Sequence, residues 1–371
     1  MIIGTVKEIK PHEYRVGLTP SCVNAFVNHG HTVIVEKSAG VQTGFTDNEY
    51  KEAGAKIEAD REKIYSQCDM IVKVKEPLPE EYDLLREDQI LFTYLHLAAS
   101  RQLTQALLGR KIKGVAYETI ETERGALPCL KPMSEIAGRL SIQEGAKYLE
   151  KTYGGRGILL GGVPGVQRGK VGIIGGGIVG TNACKIAVGI GANVTVLDIN
   201  ADRLEYLDDI FSTQITTLYS NRANILRILE ESDLIIGAVL LPGAKAPQLI
   251  KREDLKIMKK GSVIVDVAVD QGGCVETTHP TTHDDPVFVV DDVVHYCVAN
   301  MPGAVALSST QALTSTTLPY GLMIADEGLE DACRKSKALK KGVNLYKGKC
   351  VYKNVADTFS IEYTPLEEIL R

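Results

Sequence analysis

The chain has 371 residues and a formal net charge of −5, from 42 Lys and Arg against 47 Asp and Glu. This length is enough for two domains or three, and the acidic balance excludes a generally basic nucleic-acid-binding protein. No apolar run approaches the roughly 20 residues of a membrane span, and the start MIIGTVKEIK lacks the features of a signal peptide. The eight cysteines are scattered without a C-x-x-C pair, which favours isolated thiols in a reducing cytoplasm.

In the first third of the chain, short apolar runs alternate with segments of helical spacing. The runs that predict strands are 2–6, 32–35, 70–74, 90–94 and 114–116. Alternation of buried strands with helices is typical of a parallel α/β sheet, so we expect an α/β domain here. The segment from 308 onward is mostly helical in pattern and small for a separate domain, so we expect it to pack on this first domain.

The middle of the chain gives the clearer α/β pattern. Its strand candidates are 171–174, 194–197, 215–218, 234–236, 263–267 and 287–290, and longer segments with helical spacing separate the first five. We therefore predict a doubly wound domain over 128–305 and a discontinuous α/β domain made of 1–127 and 306–371. Two such domains are expected to leave a cleft between them, which is a common place for a ligand.

The strongest motif follows the strand candidate at 171–174 and has the pattern G-x-G-x-x-G. In such a loop Gly175 allows a tight turn, Gly177 lets the backbone approach a pyrophosphate, and Gly180 lets the helix pack closely on the strand. Backbone N–H groups at the start of the following helix favour phosphate charge. The next strand ends at Asp198, at the spacing of about 20 residues that dinucleotide-binding Rossmann domains use.

Asp198 also indicates which dinucleotide binds. A carboxylate at this position accepts hydrogen bonds from the ribose hydroxyls of NAD and repels the 2′-phosphate of NADP. Arg203 follows shortly after and could weaken that discrimination. The pattern therefore favours NAD and leaves the strictness of the choice open.

Other polar residues lie beside apolar segments. Asp270 follows the strand candidate at 263–267, and the carboxyl ends of parallel strands are where such sheets bind ligands. Arg15, in the loop after the first strand, is by default an exposed arginine, and His96, inside LFTYLHLAAS, is by default a buried structural histidine. Lys73 and Lys75 share one face of a strand, so one of the two is expected to be solvated.

The segment HPTTHDDP has the residue types of a metal site, with His279 and His283. Pro280 interrupts any helix there, so the two histidines do not take the i, i+4 geometry of a zinc-binding helix. We expect a structural loop and no bound metal.

Several segments together resemble the alanine dehydrogenase family, which includes the NAD-binding part of proton-translocating transhydrogenase. The resemblance runs from Met1 to about Tyr320, and the segments that carry it are KEIKPHEYRVGLTP (7–20), VKVKEP (72–77), TYLHLA (93–98), PMSEIAGRLSIQEGA (132–146), GGVPGV (161–166), GGGIVGTNACKIA (175–187), DVAVDQGGCVE (266–276), HPTTHDDPVF (279–288) and HYCVANMPGAV (295–305). It implies a homohexamer that uses NAD to interconvert L-alanine with pyruvate and ammonia.

The resemblance also implies a role for each matching residue. Arg15 would pair with the substrate carboxylate, and Lys75 would polarise the carbonyl oxygen. His96 would be the acid and base at the reacting centre, a task that suits histidine near neutral pH, and Asp270 a second proton carrier. The expected cofactor-binding residues are Ser134, Gly175, Gly177, Ile178, Val179, Gly180, Asp198, Arg203, Ser220, Val239, Leu240, Val267, Ala268, Val269, Val298, Ala299, Asn300 and Met301.

Two positions depart from the family's pattern. After 302–305 the family often continues Pro-Arg-Thr-Ser, whereas this chain continues with Ala306, Leu307, Ser308 and Ser309. Asp292 stands where the family more usually has glycine. Neither departure falls on the proposed catalytic and substrate-binding residues.

Three other functions fit parts of the same pattern. One is the NAD-binding component of a transhydrogenase, which needs a membrane partner and an NADP-binding subunit. Another is a regulator that binds NAD without turnover, and a third is a lysine-pathway dehydrogenase of similar architecture. NADH formation from L-alanine by the purified chain separates the dehydrogenase from the first two. The breadth of substrates among small amino acids stays open.

Overall fold

The computed structural model describes residues 1–239 and 246–370. The chain divides into two compact units, one made of Met1–Met133 with Gly303–Arg371 and the other of Ser134–Pro302. Each unit contains its own mostly parallel sheet, which confirms the predicted α/β class. Among the described helices, none is both long and apolar enough to cross a membrane.

The sheet of the first unit has eight strands within the described residues. They are β1 Ile2–Thr5, β2 Thr32–Glu36, β3 Lys56–Glu58, β4 Met70–Val72, β5 Ile90–Thr93, β6 Lys113–Ala116, β14 Val343–Tyr346 and β15 Lys349–Cys350. Their order is β15-β14-β6-β5-β4-β1-β2-β3, and β1 to β6 are all parallel. The direction of winding reverses between β1 and β4, and the carboxyl ends at such a reversal are where α/β sheets bind ligands.

The helices of the first unit come from both parts of the chain. From the first part these are α1 Pro20–Asn28, α2 Asp47–Glu52, α3 Arg61–Gln67, α4 Pro79–Tyr82 and α5 Arg101–Gly109, and from the second part α10 Ala306–Glu327, α11 Leu329–Lys335, α12 Lys337–Gly342, α13 Lys353–Phe359 and α14 Leu366–Ile369. The start of α1 shows how the sequence determines a boundary. The Thr19 hydroxyl accepts a hydrogen bond from the Cys22 N–H, and Pro20 occupies the first helical turn, where its missing N–H costs nothing.

The second unit has the strand order of a dinucleotide-binding Rossmann domain, with one additional antiparallel strand at its edge. Its described strands are β7 Lys170–Ile174, β8 Asn193–Asp198, β9 Ile215–Tyr219, β10 Leu234–Gly237, β11 Val263–Asp266, β12 Val287–Val290 and β13 Val293–Tyr296, in the order β12-β13-β11-β10-β7-β8-β9. All neighbours are parallel except β12, which runs antiparallel to β13. The helices are α7 Ile178–Gly189, α8 Ala201–Phe211 and α9 Arg222–Glu231, and α6 Lys131–Tyr148 carries the chain into this unit.

Every predicted strand is present, with ends that differ by a few residues. Four strands were not predicted, namely β3, β13, β14 and β15. The segment from 308 onward is therefore not helical throughout, because β14 pairs antiparallel with β6 and turns into β15 at Lys347 and Gly348. Both turn residues have positive φ, the conformation that two-residue hairpins require.

The hairpin between β12 and β13 contains Asp292, one of the positions at which this chain departs from the family pattern. Its two turn residues, Asp291 and Asp292, have φ of 49° and 64°. Glycine takes this left-handed conformation without steric cost, whereas aspartate tolerates it. The family's usual glycine at position 292 therefore fits the backbone better than the residue found in this chain.

Both sheets are covered by apolar side chains. The strands β5, β10, β11 and β13 are buried along their whole length, as expected for central strands of parallel sheets. All eight cysteines are free and buried, which agrees with the isolated thiols predicted from their spacing.

Candidate active site

The carboxyl edge of the second sheet gathers the predicted cofactor-binding positions of that unit. Gly175 follows β7, Asp198 ends β8, Ser220 follows β9, Val239 follows β10, and 267–270 follow β11. The segment 298–301 follows β13. Because these strands are parallel and in register, residues scattered over more than a hundred positions meet at one edge. Ser134 lies in the first turn of α6, and Leu240 lies outside the described residues.

The glycine loop has the geometry that its three roles require. Gly175 has φ of 101°, and a Cβ there would lie 2.6 Å from the Ala238 carbonyl oxygen. A Cβ on Gly180 would lie 1.8 Å from the Gly175 carbonyl oxygen, so only glycine allows α7 to pack so closely on β7. By contrast, a Cβ on Gly177 would meet no atom within 4 Å among the described residues.

Gly177 is also the N-cap of α7, and no described side chain caps that helix. The first N–H groups of a helix need acceptors, and a phosphate satisfies them while gaining from the helix dipole. Space at Gly177 together with uncapped N–H groups is therefore the environment that a pyrophosphate needs. The residues present fit a dinucleotide.

Asp198 and Arg203 both contact the backbone around this loop. The Asp198 carboxylate accepts hydrogen bonds from the N–H of Gly176 at 2.6 Å and of Asn200 at 2.8 Å. The Arg203 guanidinium donates to the Gly176 carbonyl oxygen and to the Thr181 hydroxyl. Arg203 thus links α8 to the loop through two of its donors.

The loop that carries Asp270 is organised by a buried carboxylate, Asp266. Its oxygens accept hydrogen bonds from the N–H of Ala268 at 3.1 Å, the N–H of Cys274 at 3.0 Å and the Thr278 hydroxyl at 2.8 Å. Burial raises the pKa of Asp266, although these donors lower it in part. Asp270 itself is exposed, in the 3-10 turn Val269–Gln271.

The histidine-containing segment 279–288 supports the chain at 298–301. The Thr281 N–H donates to the Cys297 carbonyl oxygen at 2.9 Å, and the Ala299 N–H donates to the Thr281 carbonyl oxygen at 3.1 Å. A ring nitrogen of His283 lies 3.4 Å from the carbonyl oxygen of Asn300, which has φ of 61°. These hydrogen bonds join the segment to the chain at 297–300.

In the first unit, the carboxyl edge of the sheet holds the predicted substrate-binding residues. Arg15 lies in the loop after β1, Lys75 follows β4, and His96 follows β5. The default expectations for two of them are reversed. Arg15 is 2% exposed and not a surface arginine, whereas the side chain of His96 is 44% exposed and not a core histidine.

Arg15 is held by Glu13, two residues before it. Its Nε donates to Oε1 at 2.7 Å and its Nη2 to Oε2 at 2.6 Å, while Nη1 lies 2.9 Å from the Met133 sulfur. Burial alone lowers the pKa of Arg15, but the hydrogen bonds and charge of Glu13 outweigh it and raise the pKa. The edge of the guanidinium that bears Nε and Nη2 is thus occupied by Glu13.

Lys73 and Lys75 have different environments, and neither is a solvated surface lysine. Lys73 is fully buried and forms ion pairs with Glu8 at 3.2 Å and Glu81 at 2.9 Å. Lys75 is half-buried and forms no ion pair with a described residue within 4 Å. Burial, and then the charge of Arg15, lower the pKa of Lys75. The expectation that one of the two would be solvated is wrong, because the three-residue strand β4 leads directly into a buried cluster of acids.

His96 has a left-handed backbone, with φ of 46°. Its N–H donates to Oε1 of Glu118 at 2.7 Å, and its Nδ1 lies 3.4 Å from Oε2 of Glu76. Backbone strain of this kind concentrates at functional sites.

The residues that sequence reasoning missed are carboxylates that hold the predicted groups in place: Glu13, Glu76, Glu118 and Asp266. One of them had a local signal, since Glu13 stands two residues before Arg15. Glu76, Glu118 and Asp266 had none, because their partners come from other parts of the chain or are backbone N–H groups.

Two family models match the chain. The alanine dehydrogenase/PNT N-terminal domain matches residues 4–137, and the alanine dehydrogenase/PNT C-terminal domain matches residues 141–353. The alanine dehydrogenase of Methanococcus maripaludis is 56% identical and that of Staphylococcus haemolyticus 55%, each over 100% of both chains.

Two solved structures are also similar to this chain. A structure of an L-alanine dehydrogenase superposes with a TM-score of 0.95 at 54% identity and covers 97% of this chain and 99% of its own. A transhydrogenase from Sinorhizobium meliloti superposes with a TM-score of 0.81 at 23% identity, covering 95% of this chain and 99% of its own. The second similarity shows the fold alone.

Proposed function

The chain belongs to the alanine dehydrogenase/PNT family, and on that premise we propose that it catalyses the NAD-dependent, reversible oxidation of L-alanine to pyruvate and ammonia. The observation that carries this proposal is the full-length match to alanine dehydrogenases at more than half identity. The site chemistry agrees with it, because cationic side chains for a small carboxylic acid and a loop for a dinucleotide occur in the same chain.

In this proposal the second unit holds the cofactor. The glycine loop binds the pyrophosphate at Gly177, and Asp198 accepts hydrogen bonds from a ribose. The positions after β10, β11 and β13 contact the remaining parts of the dinucleotide. NAD+, when bound, accepts a hydride from Cα of the amino acid. NAD is preferred to NADP because Asp198 repels a 2′-phosphate, and two of the donors of Arg203 are already engaged by Gly176 and Thr181.

The first unit supplies the groups that act on the amino acid. Arg15 binds its carboxylate, with the guanidinium orientation set by Glu13. Lys75, whose pKa burial lowers, donates to the oxygen that becomes the carbonyl. His96 accepts a proton from the amino acid or from the attacking water and returns it as ammonia leaves. Asp270 is proposed as a second proton carrier.

The test is NADH formation by the purified chain at alkaline pH with a panel of L-amino acids, repeated with NADP+. We expect the highest kcat/KM for L-alanine with NAD+ and a much lower value with NADP+. Pyruvate and ammonia should form in amounts equal to NADH. Binding of NADH without turnover of any amino acid would contradict the proposal and favour a regulatory protein.

We also propose that the active form is a homohexamer in a reducing cytoplasm. The family resemblance supports the assembly, and the eight free buried thiols suit such a compartment. Light scattering after gel filtration should give the mass of a hexamer of 40.3 kDa chains. The mass of a single chain in a fully active sample would contradict this part of the proposal.

A further inference from the structure

Glu76 is a carboxylate that lies between two cationic or basic side chains in the first unit. Its Oε1 contacts the Lys10 ammonium, and its Oε2 lies 3.4 Å from Nδ1 of His96. The side chain is 17% exposed. Within the part of the chain that the structure describes, Oε2 is buried and accepts no hydrogen bond of good geometry. A buried carboxylate oxygen without a donor is costly unless a partner reaches it, and His96 is the neighbour able to do so.

The backbone of His96 is held from the other side. Glu118, which follows β6, accepts the His96 N–H at 2.7 Å and the Leu95 N–H at 3.2 Å. This fixes the left-handed turn at His96 and limits where its ring lies. Nδ1 is turned toward Glu76, and Nε2 contacts no hydrogen-bonding partner among the described residues. The ring therefore has one nitrogen facing a protein carboxylate and one left for a ligand.

We propose that Glu76 is a positioning residue for the reaction, which accepts the Nδ1 proton of His96 and so leaves the lone pair on Nε2. An imidazole with a proton on one nitrogen accepts a proton only at the other. The carboxylate also stabilises the imidazolium that forms when Nε2 takes a proton, as the acidic member of a catalytic triad does. We expect the 3.4 Å separation to shorten in the complex with substrate, because catalytic hydrogen bonds are often long before a ligand binds. This inference rests on the proposed role of His96.

The charge state of Glu76 supports this role. Burial raises its pKa, but His96 and Lys10 outweigh burial and lower the pKa to about 2. Glu76 is therefore ionised at any pH at which the enzyme is tested. The other groups facing His96 are the Glu118 carboxylate at its backbone and the Tyr94 ring at 5.8 Å, and Lys10 acts on it through Glu76.

The test compares Glu76→Gln with Glu76→Asp and with a matched control, Glu80→Gln, an exposed residue at the start of α4. The first variant keeps the side-chain size and removes the charge. We expect kcat to fall about 10- to 100-fold, as when a group that orients a reacting histidine is lost. The acidic limb of the kcat/KM profile should move to lower pH, since an anion no longer stabilises the imidazolium. Glu76→Asp should lose less of kcat and shift the pH profile less than Glu76→Gln does. Glu80→Gln should match the wild type in both respects.

A second readout does not need turnover. Diethyl pyrocarbonate reacts with neutral imidazole, and mass spectrometry of the peptide that contains His96 gives its modification rate at each pH. The midpoint of that rate should move to lower pH in Glu76→Gln and stay at the wild-type value in Glu80→Gln. Should Glu76→Gln fail to fold, Glu76→Asp gives the same comparison in smaller degree.

Two failures are distinguishable. An active wild type whose Glu76→Gln and Glu76→Asp variants keep the wild-type pH profile and modification midpoint would overturn the role of Glu76 and leave the proposed function intact. A wild type that forms no NADH from L-alanine would overturn the proposed function. In that case an unshifted modification midpoint in Glu76→Gln would overturn the role of Glu76 as well.

Discussion

Arg15 and Glu13 form a buried ion pair through two parallel hydrogen bonds, of 2.7 and 2.6 Å. Removing one member of such a pair leaves a buried group without its partner, which costs about 3–5 kcal/mol. Glu13→Gln keeps an acceptor, so we expect a smaller loss of stability and a guanidinium that is no longer held in one orientation.

For Glu13→Gln we therefore expect the KM for L-alanine to rise about tenfold, since a point of binding is misplaced, with a smaller change in kcat. The melting temperature should fall in the same variant. Steady-state kinetics and thermal unfolding measure the two effects. Glu62→Gln, at an exposed residue on α3, is the control, and an unchanged KM in Glu13→Gln would show that Glu13 does not position Arg15.

The glycine loop allows a matched comparison of three alanine variants. Gly177→Ala should fold normally, because its Cβ meets no described atom, and should weaken NADH binding at least about tenfold by occupying the space that we assign to the pyrophosphate. Gly189→Ala, at the exposed end of the same helix, has equal space and should leave NADH binding unchanged. Gly180→Ala should unfold or fail to express, since its Cβ overlaps the Gly175 carbonyl. Fluorescence titration with NADH measures the affinity of each variant. Equal affinities for Gly177→Ala and Gly189→Ala would show that the phosphates bind elsewhere.

Replacement by methionine should lower the stability of the protein at Lys73 and its activity at Lys75. Lys73→Met leaves Glu8 buried without its cation and Glu81 with only Arg61, at 3.5 Å, which should destabilise the protein by about 3–5 kcal/mol. Lys75→Met removes no ion pair with a described residue, so stability should change little while kcat/KM for L-alanine collapses. Denaturant unfolding and initial rates on both variants test this. A stable Lys73→Met protein, or an active Lys75→Met enzyme, would contradict the assignment.

Asp292→Gly should stabilise the protein. The residue has φ of 64°, and relief of a left-handed side chain, about 1–2 kcal/mol, exceeds the roughly 0.5–1 kcal/mol that glycine costs in chain entropy, so the melting temperature should rise by roughly 1–2 °C. The lost ion pair with Lys260, at 2.9 Å, is largely exposed and contributes little. Lys260→Ala removes that ion pair alone and should leave the melting temperature unchanged. A lower melting temperature for Asp292→Gly would show that the turn does not strain the backbone.

The predictable parts of the fold were those with a local signal. Runs such as 171–174 and 234–236 are rich in β-branched residues because central parallel strands are buried on both faces. The strand β14 has no such signal, and it is a strand because β6 offers it a free edge. β3, with one isoleucine between two charged residues, is an edge strand of three residues, and its pairing with β2 is decided by tertiary contact.

The candidate site likewise has residues that a local sequence signal identifies and residues that only the structure identifies. The spacing of Gly175, Gly177, Gly180 and Asp198 is set by the steric requirements of phosphate binding, so the sequence alone predicts this loop. For Arg15 and His96, by contrast, the burial of each was the reverse of the default, because it depends on Glu13 and Glu118. Apart from the nearness of Glu13 to Arg15, no sequence pattern identifies which of many glutamates folds against a given cation or N–H group, so the other positioning groups were found only in the structure.

The most direct measurement is the comparison of His96→Ala with the wild type, in NADH affinity and in turnover of L-alanine. The glycine loop, to which we assign the pyrophosphate, is unaltered in this variant, so we predict that NADH affinity is nearly unchanged. Loss of the acid and base should lower kcat by at least about 100-fold. Normal turnover by His96→Ala would contradict the mechanism proposed for this chain.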